Sequence, residues 1–236
     1  MNFAELAFRR LDRHPGLRTA HYVAWAVRLL DEGCTAPSVA ELASFSLEAQ
    51  PGAEQVERTF LACVSELSLS LPSESQWHEA LKAYVVDRCE SLVRGKLTPE
   101  EVKSDLLRIA DDNDDPYLLL IWNDLATDIT EARSWPHRDP DHVCFNLGLD
   151  LSSANECIRM TAIQFAGLAA RQLPDKFPAV WMCTRCGAVS EQAGRTAEES
   201  RDCPSCTGAA ALLNMRHHRS REHLLACVAL EVPERR

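Results

Sequence analysis

The 236-residue chain lacks every short signature that usually marks an enzyme: there is no Gly-x-x-x-x-Gly-Lys phosphate loop, no dinucleotide fingerprint, no His-Glu-x-x-His and no Gly-x-Ser-x-Gly. Catalysis therefore has no sequence support, although a site assembled from distant residues leaves no such trace. No apolar run approaches the length needed to cross a bilayer, and Met1 to Leu6 show no basic stretch followed by an apolar one. These two absences predict a cytoplasmic protein with no membrane partner. Strand-type alternation is missing from residues 2 to 173, and no repeat of solenoid length stands out. Positive charge is also scarce over most of the chain. Residues 1–180 hold 17 Lys or Arg against 28 Asp or Glu, a net of −11, while residues 181–236 hold 8 against 7, a net of +1. An acidic body repels phosphate, so nucleic-acid contact would be confined to the C-terminal part.

Cysteine is plentiful, but six of the ten (Cys34, Cys63, Cys89, Cys144, Cys157 and Cys227) follow no disulfide-framework spacing. Cys63, Cys89 and Cys157 fall within apolar helical segments and read as small core residues in a reducing compartment. The other four form two tight pairs, Cys183-Thr184-Arg185-Cys186 and Cys203-Pro204-Ser205-Cys206, separated by sixteen residues. A tetrahedral Zn²⁺ takes four thiolates most easily from two such turns. Gly187 follows the first pair, where positive φ lets backbone N–H groups turn towards sulfur. Pro204 stiffens the second turn and Gly208 lies just beyond it.

A single Cys-x-x-Cys could be a redox dithiol, but that motif is expected at a helix start after a strand and needs only one pair. Two pairs favour metal, and zinc over iron because nothing else suggests electron transfer. Four protein ligands leave no open position, so one structural Zn²⁺ is expected on Cys183, Cys186, Cys203 and Cys206. The Cys-x-x-Cys-Gly and Cys-Pro-x-Cys wording resembles the paired knuckles of zinc ribbons and rubredoxin-like modules, over residues 183–206 only. The resemblance implies a small β ribbon that acts as a folding device and is able to serve as a contact surface.

Residues 2 to 173 read as about eight amphipathic helices, with apolar residues at three- and four-residue spacing and Pro or Gly between the runs. Val56, Phe60, Cys63, Val64 and Leu67 share one face. Trp77, Leu81, Tyr84, Val85 and Leu92 share another, ahead of a stop at Gly95. Capping boxes are expected at Ser38/Glu41, Ser73/Gln76, Thr98/Glu101 and Ser153/Glu156. Pro99 and Pro116 sit where helices open, and the second of these should bury Leu118, Ile121, Trp122, Leu125 and Ile129. Residues 135–150, interrupted by Pro136 and Pro140, read as a loop. Residues 177–182 look like a strand entering the first knuckle, 209–215 like a return from the second, and 224–232 like a final strand. The expected fold is mainly α, with an acidic helical domain at 1–175 and a C-terminal β zinc ribbon with a short extension at 176–236.

Further constellations carry weaker signals. Asp111-Asp112-Asn113-Asp114-Asp115 lacks the alternation, central glycine and closing Glu of a calcium loop and reads as a solvated acidic linker. His137, Asp139, Asp141, His142 and Cys144 form the densest group of potential acid–base or ligand residues outside the ribbon, in a spacing that matches no defined site. Arg216, Arg219 and Arg221, among His217, His218 and His223, are the one basic stretch and the candidate nucleic-acid contacts, with only Trp181 nearby to stack a base. Trp25, Trp77 and Trp122 read as packing. Together these features predict a non-enzymatic zinc-binding protein whose acidic helical body meets a protein partner, favourably a basic one. The alternatives are a DNA- or RNA-binding regulator using the ribbon and the arginine strip and, behind it, an enzyme using the 137–144 loop.

Overall fold

The computed structural model describes residues 2–14, 16–47, 52–113, 116–134, 143–171, 173–174, 176–183, 185–191, 199–203, 205–206 and 211–229. Among the described residues eight α-helices precede residue 173: α1 (Phe3–Leu11), α2 (Thr19–Asp31), α3 (Pro37–Ser44), α4 (Ala53–Glu66), α5 (Trp77–Val93), α6 (Pro99–Asp112), α7 (Leu120–Ser134) and α8 (Ala154–Ala169). Their apolar spacing explains them. On α4 the residues at 56, 60, 63 and 64 are buried together, as are Leu81, Tyr84, Val85 and Leu92 on α5. On α7 the buried stripe is Ile121, Trp122, Leu125 and Ile129; Leu119, in a 3₁₀ turn ahead of the helix, takes the buried place expected of Leu118.

Two of the expected capping boxes form. Thr98 Oγ1 accepts from the Glu101 N–H at 3.3 Å while Glu101 accepts from the Thr98 N–H at 2.8 Å, with Pro99 in the first turn. Ser73 and Gln76 pair in the same way across a 3₁₀ turn before α5. The other two do not. Ser38 lies inside α3, after Ala36 and Pro37, and its N–H and hydroxyl both donate to Glu66 at the end of α4, so this N-terminus is capped from a neighbouring helix. Ser153 does precede α8, but its hydroxyl donates to Asp150 at 3.2 Å.

The chain divides into two compact units, residues 1–87 and 88–236, with the division inside α5. In the first, Leu6, Trp25, Val39, Leu42, Val56 and Phe60 form the core, where Trp25 and Tyr22 meet the Phe60 ring edge-on. The second holds α6 to α8, a small sheet and a ninth α-helix, α9 (His218–Ala229). Its helical core includes Leu106, Ile109, Trp122, Leu125, Ile158, Phe165 and Leu168.

The sheet has four antiparallel strands in the order β2-β1-β4-β3, with β1 at Trp181–Cys183, β2 at Val189–Ser190, β3 at Glu199–Asp202 and β4 at Ala211–Asn214. β1 meets β4 with Trp181 opposite Asn214 and Cys183 opposite Leu212. The strand expected over 177–182 begins only at Trp181. The final strand expected over 224–232 is overturned, because His218–Ala229 is helical. Its buried positions, 218, 220, 221 and 224, include the three-residue steps of a helix, but three of the four are polar, which hides the period from a reading of apolar residues.

Candidate metal centre

β1 ends on Cys183, and the chain turns back at once. The Cys183 N–H donates to the Ala188 carbonyl, and the Gly187 N–H to the Cys183 carbonyl, each at 2.9 Å. Gly187 takes φ +72°, a left-handed conformation that closes the knuckle without strain at a glycine. In the second knuckle the Cys206 N–H donates to the Cys203 carbonyl at 3.2 Å. These turns bring all four sulfurs within 4.8 Å of one another. Two contacts run between the knuckles, Cys186 Sγ to Cys203 Sγ at 3.6 Å and Cys183 Sγ to Cys206 Sγ at 3.8 Å. Four sulfurs at about 2.3 Å from a tetrahedral Zn²⁺ would lie about 3.8 Å apart, so the set fits such an ion.

Burial divides the four. Cys183 and Cys203 are enclosed with Trp181 and Leu212, Cys206 is half-buried and Cys186 is exposed. The Cys183 thiol is drawn down to about 7: burial, the largest influence, opposes its charge, but the N–H groups of Cys186 and Arg185 and the neighbouring thiols favour the thiolate more strongly. Cys206 is pushed up to about 12, first by its hydrogen bond with Cys186 and then by burial. Sulfurs this close share protons and cannot all ionise without a cation, which is the electrostatic condition of a thiolate metal site. Among the described residues no other group of three or more His, Cys, Asp or Glu side chains is placed to hold a metal.

The other sequence candidates fare differently. Residues 135–142, with His137, Asp139, Asp141 and His142, lie outside the described residues, and Cys144 is buried. Asp112 pairs with Arg108 at 2.6 Å and Asn113 ends α6, while Asp114 and Asp115 also lie outside the described residues. Trp25 and Trp122 are core residues and Trp77 is half-buried.

The arginine strip is not the free basic surface that its sequence suggests. Arg221 is 1 % exposed, with Nε donating to Gln164 Oε1 at 2.6 Å and Nη1 donating to the carbonyls of Met215 and Arg216. Arg216 grips Asp124 with two nitrogens and lies over the Phe145 ring, 4.1 Å from its centroid. Only Arg219 of the three is exposed. Within the strip proposed for phosphate contact, Arg221 is enclosed and the half-buried Arg216 is held on Asp124.

These arginines belong to a buried polar cluster that sequence reasoning missed. Asp124 and Asp128 come from α7, Thr161 and Gln164 from α8, Asn146 from the preceding loop, and His217, His218, Ser220 and Arg221 from the start of α9; all are buried. Asp128 accepts from the Asn146 backbone and side chain at 2.9 and 2.8 Å, and the His218 N–H donates to the Phe145 carbonyl at 2.7 Å. Burial raises the Asp124 pKa, partly offset by Arg216, and lowers that of Arg221 to about 9 despite nearby Asp124. The available sequence signal was Asp124 and Asp128 four apart on a helix that otherwise buries apolar residues; an acid inside such a stripe calls for a cation from elsewhere.

No helix among the described residues is long and apolar enough to cross a membrane. The chain matches no protein-family model, no curated protein and no solved structure.

Proposed function

We propose that this is a non-enzymatic, zinc-stabilised interaction protein: Cys183, Cys186, Cys203 and Cys206 hold one structural Zn²⁺, and the acidic helical part meets a protein partner. The observation that carries the metal reading is the convergence of four sulfurs, contributed by two knuckles, within 4.8 Å. Four thiolates complete a tetrahedral shell and leave no place for a water or substrate, so the ion's chemistry is to cross-link the two knuckles. Cys183 and Cys203 anchor that shell in the small apolar cluster, while the N–H groups of Arg185 and Cys186 in the first knuckle favour the Cys183 thiolate. A cytoplasmic setting agrees with Cys34, Cys63, Cys89 and Cys157, which remain outside any disulfide.

The partner reading rests on charge. A net of −11 over residues 1–180 favours a basic protein surface and disfavours nucleic acid. The nucleic-acid alternative is weakened because Arg216 and Arg221 are committed internally. Two measurements test the proposal. Elemental analysis of the purified protein is expected to find one zinc per chain, and the absence of metal defeats the first half. Native size in host lysate, before and after nuclease, is expected to show a complex that survives nuclease and dissociates with added salt. Collapse on nuclease treatment would transfer the reading to nucleic acid.

A further inference from the structure

The sulfur cluster and the buried arginine cluster are joined by one strand pair. β4 leaves the second knuckle, runs beside β1 from Leu212 opposite Cys183 to Asn214 opposite Trp181, and is extended where the Met215 N–H donates to the Val180 carbonyl at 3.0 Å. The chain then turns, with the Arg216 N–H donating to Asn214 Oδ1 at 3.1 Å, and places the Arg216 side chain on Asp124. α9 follows and is held along α8. Gln164 Nε2 donates to the His218 carbonyl at 3.0 Å and its Oε1 accepts from Arg221. At Gly167 an added Cβ would lie 3.2 Å from Leu225 Cδ2, so glycine is what lets the two helices approach there. Near the end of the contact, Arg171 Nη1 donates to the Leu224 carbonyl at 3.2 Å.

Register connects the two ends. A slip of one residue between β1 and β4 would move the following chain by about 3.3 Å and turn each side chain to the opposite face. Arg216 could not then reach both Asp124 oxygens, and the Met215 and Arg216 carbonyls would leave the Arg221 guanidinium. The two knuckles border the strands concerned: Cys183 ends β1, and Cys203 directly follows β3, whose Asp202 pairs with Ala211 of β4.

We propose that the cysteine centre is the lock of a clamp: holding a metal there fixes the β1–β4 register and thereby keeps α9 docked on α8 through Arg216 and Arg221, and loss of the metal releases α9. This rests on the reading that the four cysteines bind a metal. Linkage makes the coupling reciprocal, so changes on α7 or α8 that undock α9 weaken metal binding by the same factor, although they touch no cysteine.

The full-length protein tests this with two independent readouts: Zn²⁺ or Co²⁺ uptake, the latter by its thiolate absorption, and amide exchange over residues 218–229. Chelation of the metal is expected to speed α9 exchange by about 5- to 150-fold, the span of typical site-to-site coupling, and to leave α2 to α4 unchanged. Asp124→Asn and Gly167→Leu are expected to weaken Zn²⁺ binding within that same range. Should either fail to fold, Arg171→Ala, which removes a single bond to α9, gives a milder form of the same test. Unchanged α9 exchange after verified metal release overturns the clamp, as does unaltered Zn²⁺ affinity in a folded variant whose α9 exchanges freely. If the wild type takes up neither ion, the metal reading fails and the clamp with it, an outcome visible in the uptake alone.

Discussion

Arg216 and Asp124, 92 residues apart in the chain, form a two-point ion pair, with Nε donating to Oδ2 at 3.0 Å and Nη2 to Oδ1 at 2.6 Å. The planar guanidinium fork matches the carboxylate, and the Phe145 ring beneath it shields the pair from water on one side. The contact fastens the end of the metal-binding sheet to α7. Because Asp124 is nearly enclosed while Arg216 is only half-buried, the two partners do not fail alike when separated.

Asp124→Asn is expected to cost about 2 to 3 kcal/mol, towards the lower end for breaking a buried pair because water still reaches Arg216. The loss includes the nearby charge of Arg221, which Asp124 also stabilises. Urea unfolding of variant and wild type at neutral pH measures it. A change within about 0.5 kcal/mol would show the pair to be incidental.

Arg219→Ala and Arg221→Ala should separate cleanly despite lying on the same helix. Arg219 is exposed, and its loss is expected within about 0.5 kcal/mol of neutral. Arg221 is enclosed and leaves Gln164 and the Met215 and Arg216 carbonyls without their donor, an expected cost of about 3 kcal/mol or more. Thermal unfolding of the two variants decides. A combined Arg216, Arg219 and Arg221 substitution would mainly report lost folding, so Arg219→Ala is the informative variant for nucleic-acid binding.

Cys183→Ser is expected to abolish stoichiometric zinc and to open residues 181–183 and 211–214, with α9, to amide exchange, while α6 to α8 stay protected. That pattern would make residues 176–236 a metal-dependent module seated on a persisting helical body. Loss of protection across α6 to α8 at the same time would show that the sheet and helices fold as one.

Glu101 gives a pH dependence with a definite sign. Its carboxyl is held below the ordinary value of 4.5, first by the Thr98 N–H and then by the Thr98 hydroxyl. A depressed folded value means that its contribution is present above pH 4.5 and is lost as pH falls through that lower value. Glu101→Gln keeps an acceptor for the Thr98 N–H without a titrating group. The stability difference between wild type and this variant should therefore move against the wild type between pH 7 and pH 3, in matched urea titrations. A difference constant with pH would rule out the cap as its source.

The helical body was legible because the decisive information is local. Val56, Phe60 and Cys63 repeat along one face whatever packs against them, and Thr98-Pro99-Glu100-Glu101 carries its own start signal. The same locality misled at Ser38, which has the wording of a cap but serves a carboxylate from another helix. α9 was missed for the converse reason. Its inward face is built from Ser220 and Arg221, and a buried arginine looks like a surface residue until Gln164 and the turn carbonyls are seen around it.

The mainly α character, the helices ahead of residue 173 and the four converging cysteines can all be read from the chain alone. Each follows from periodicity or from the short reach of a metal-ligand turn, and both act within a few residues. Tertiary packing is what encloses Arg221, holds the half-buried Arg216 on Asp124, brings Gln164 to Arg221 and makes residues 218–229 a helix. Burial of charge is a property of partners brought together across 92 or 57 residues of chain, and such partners have no fixed spacing for a sequence to display.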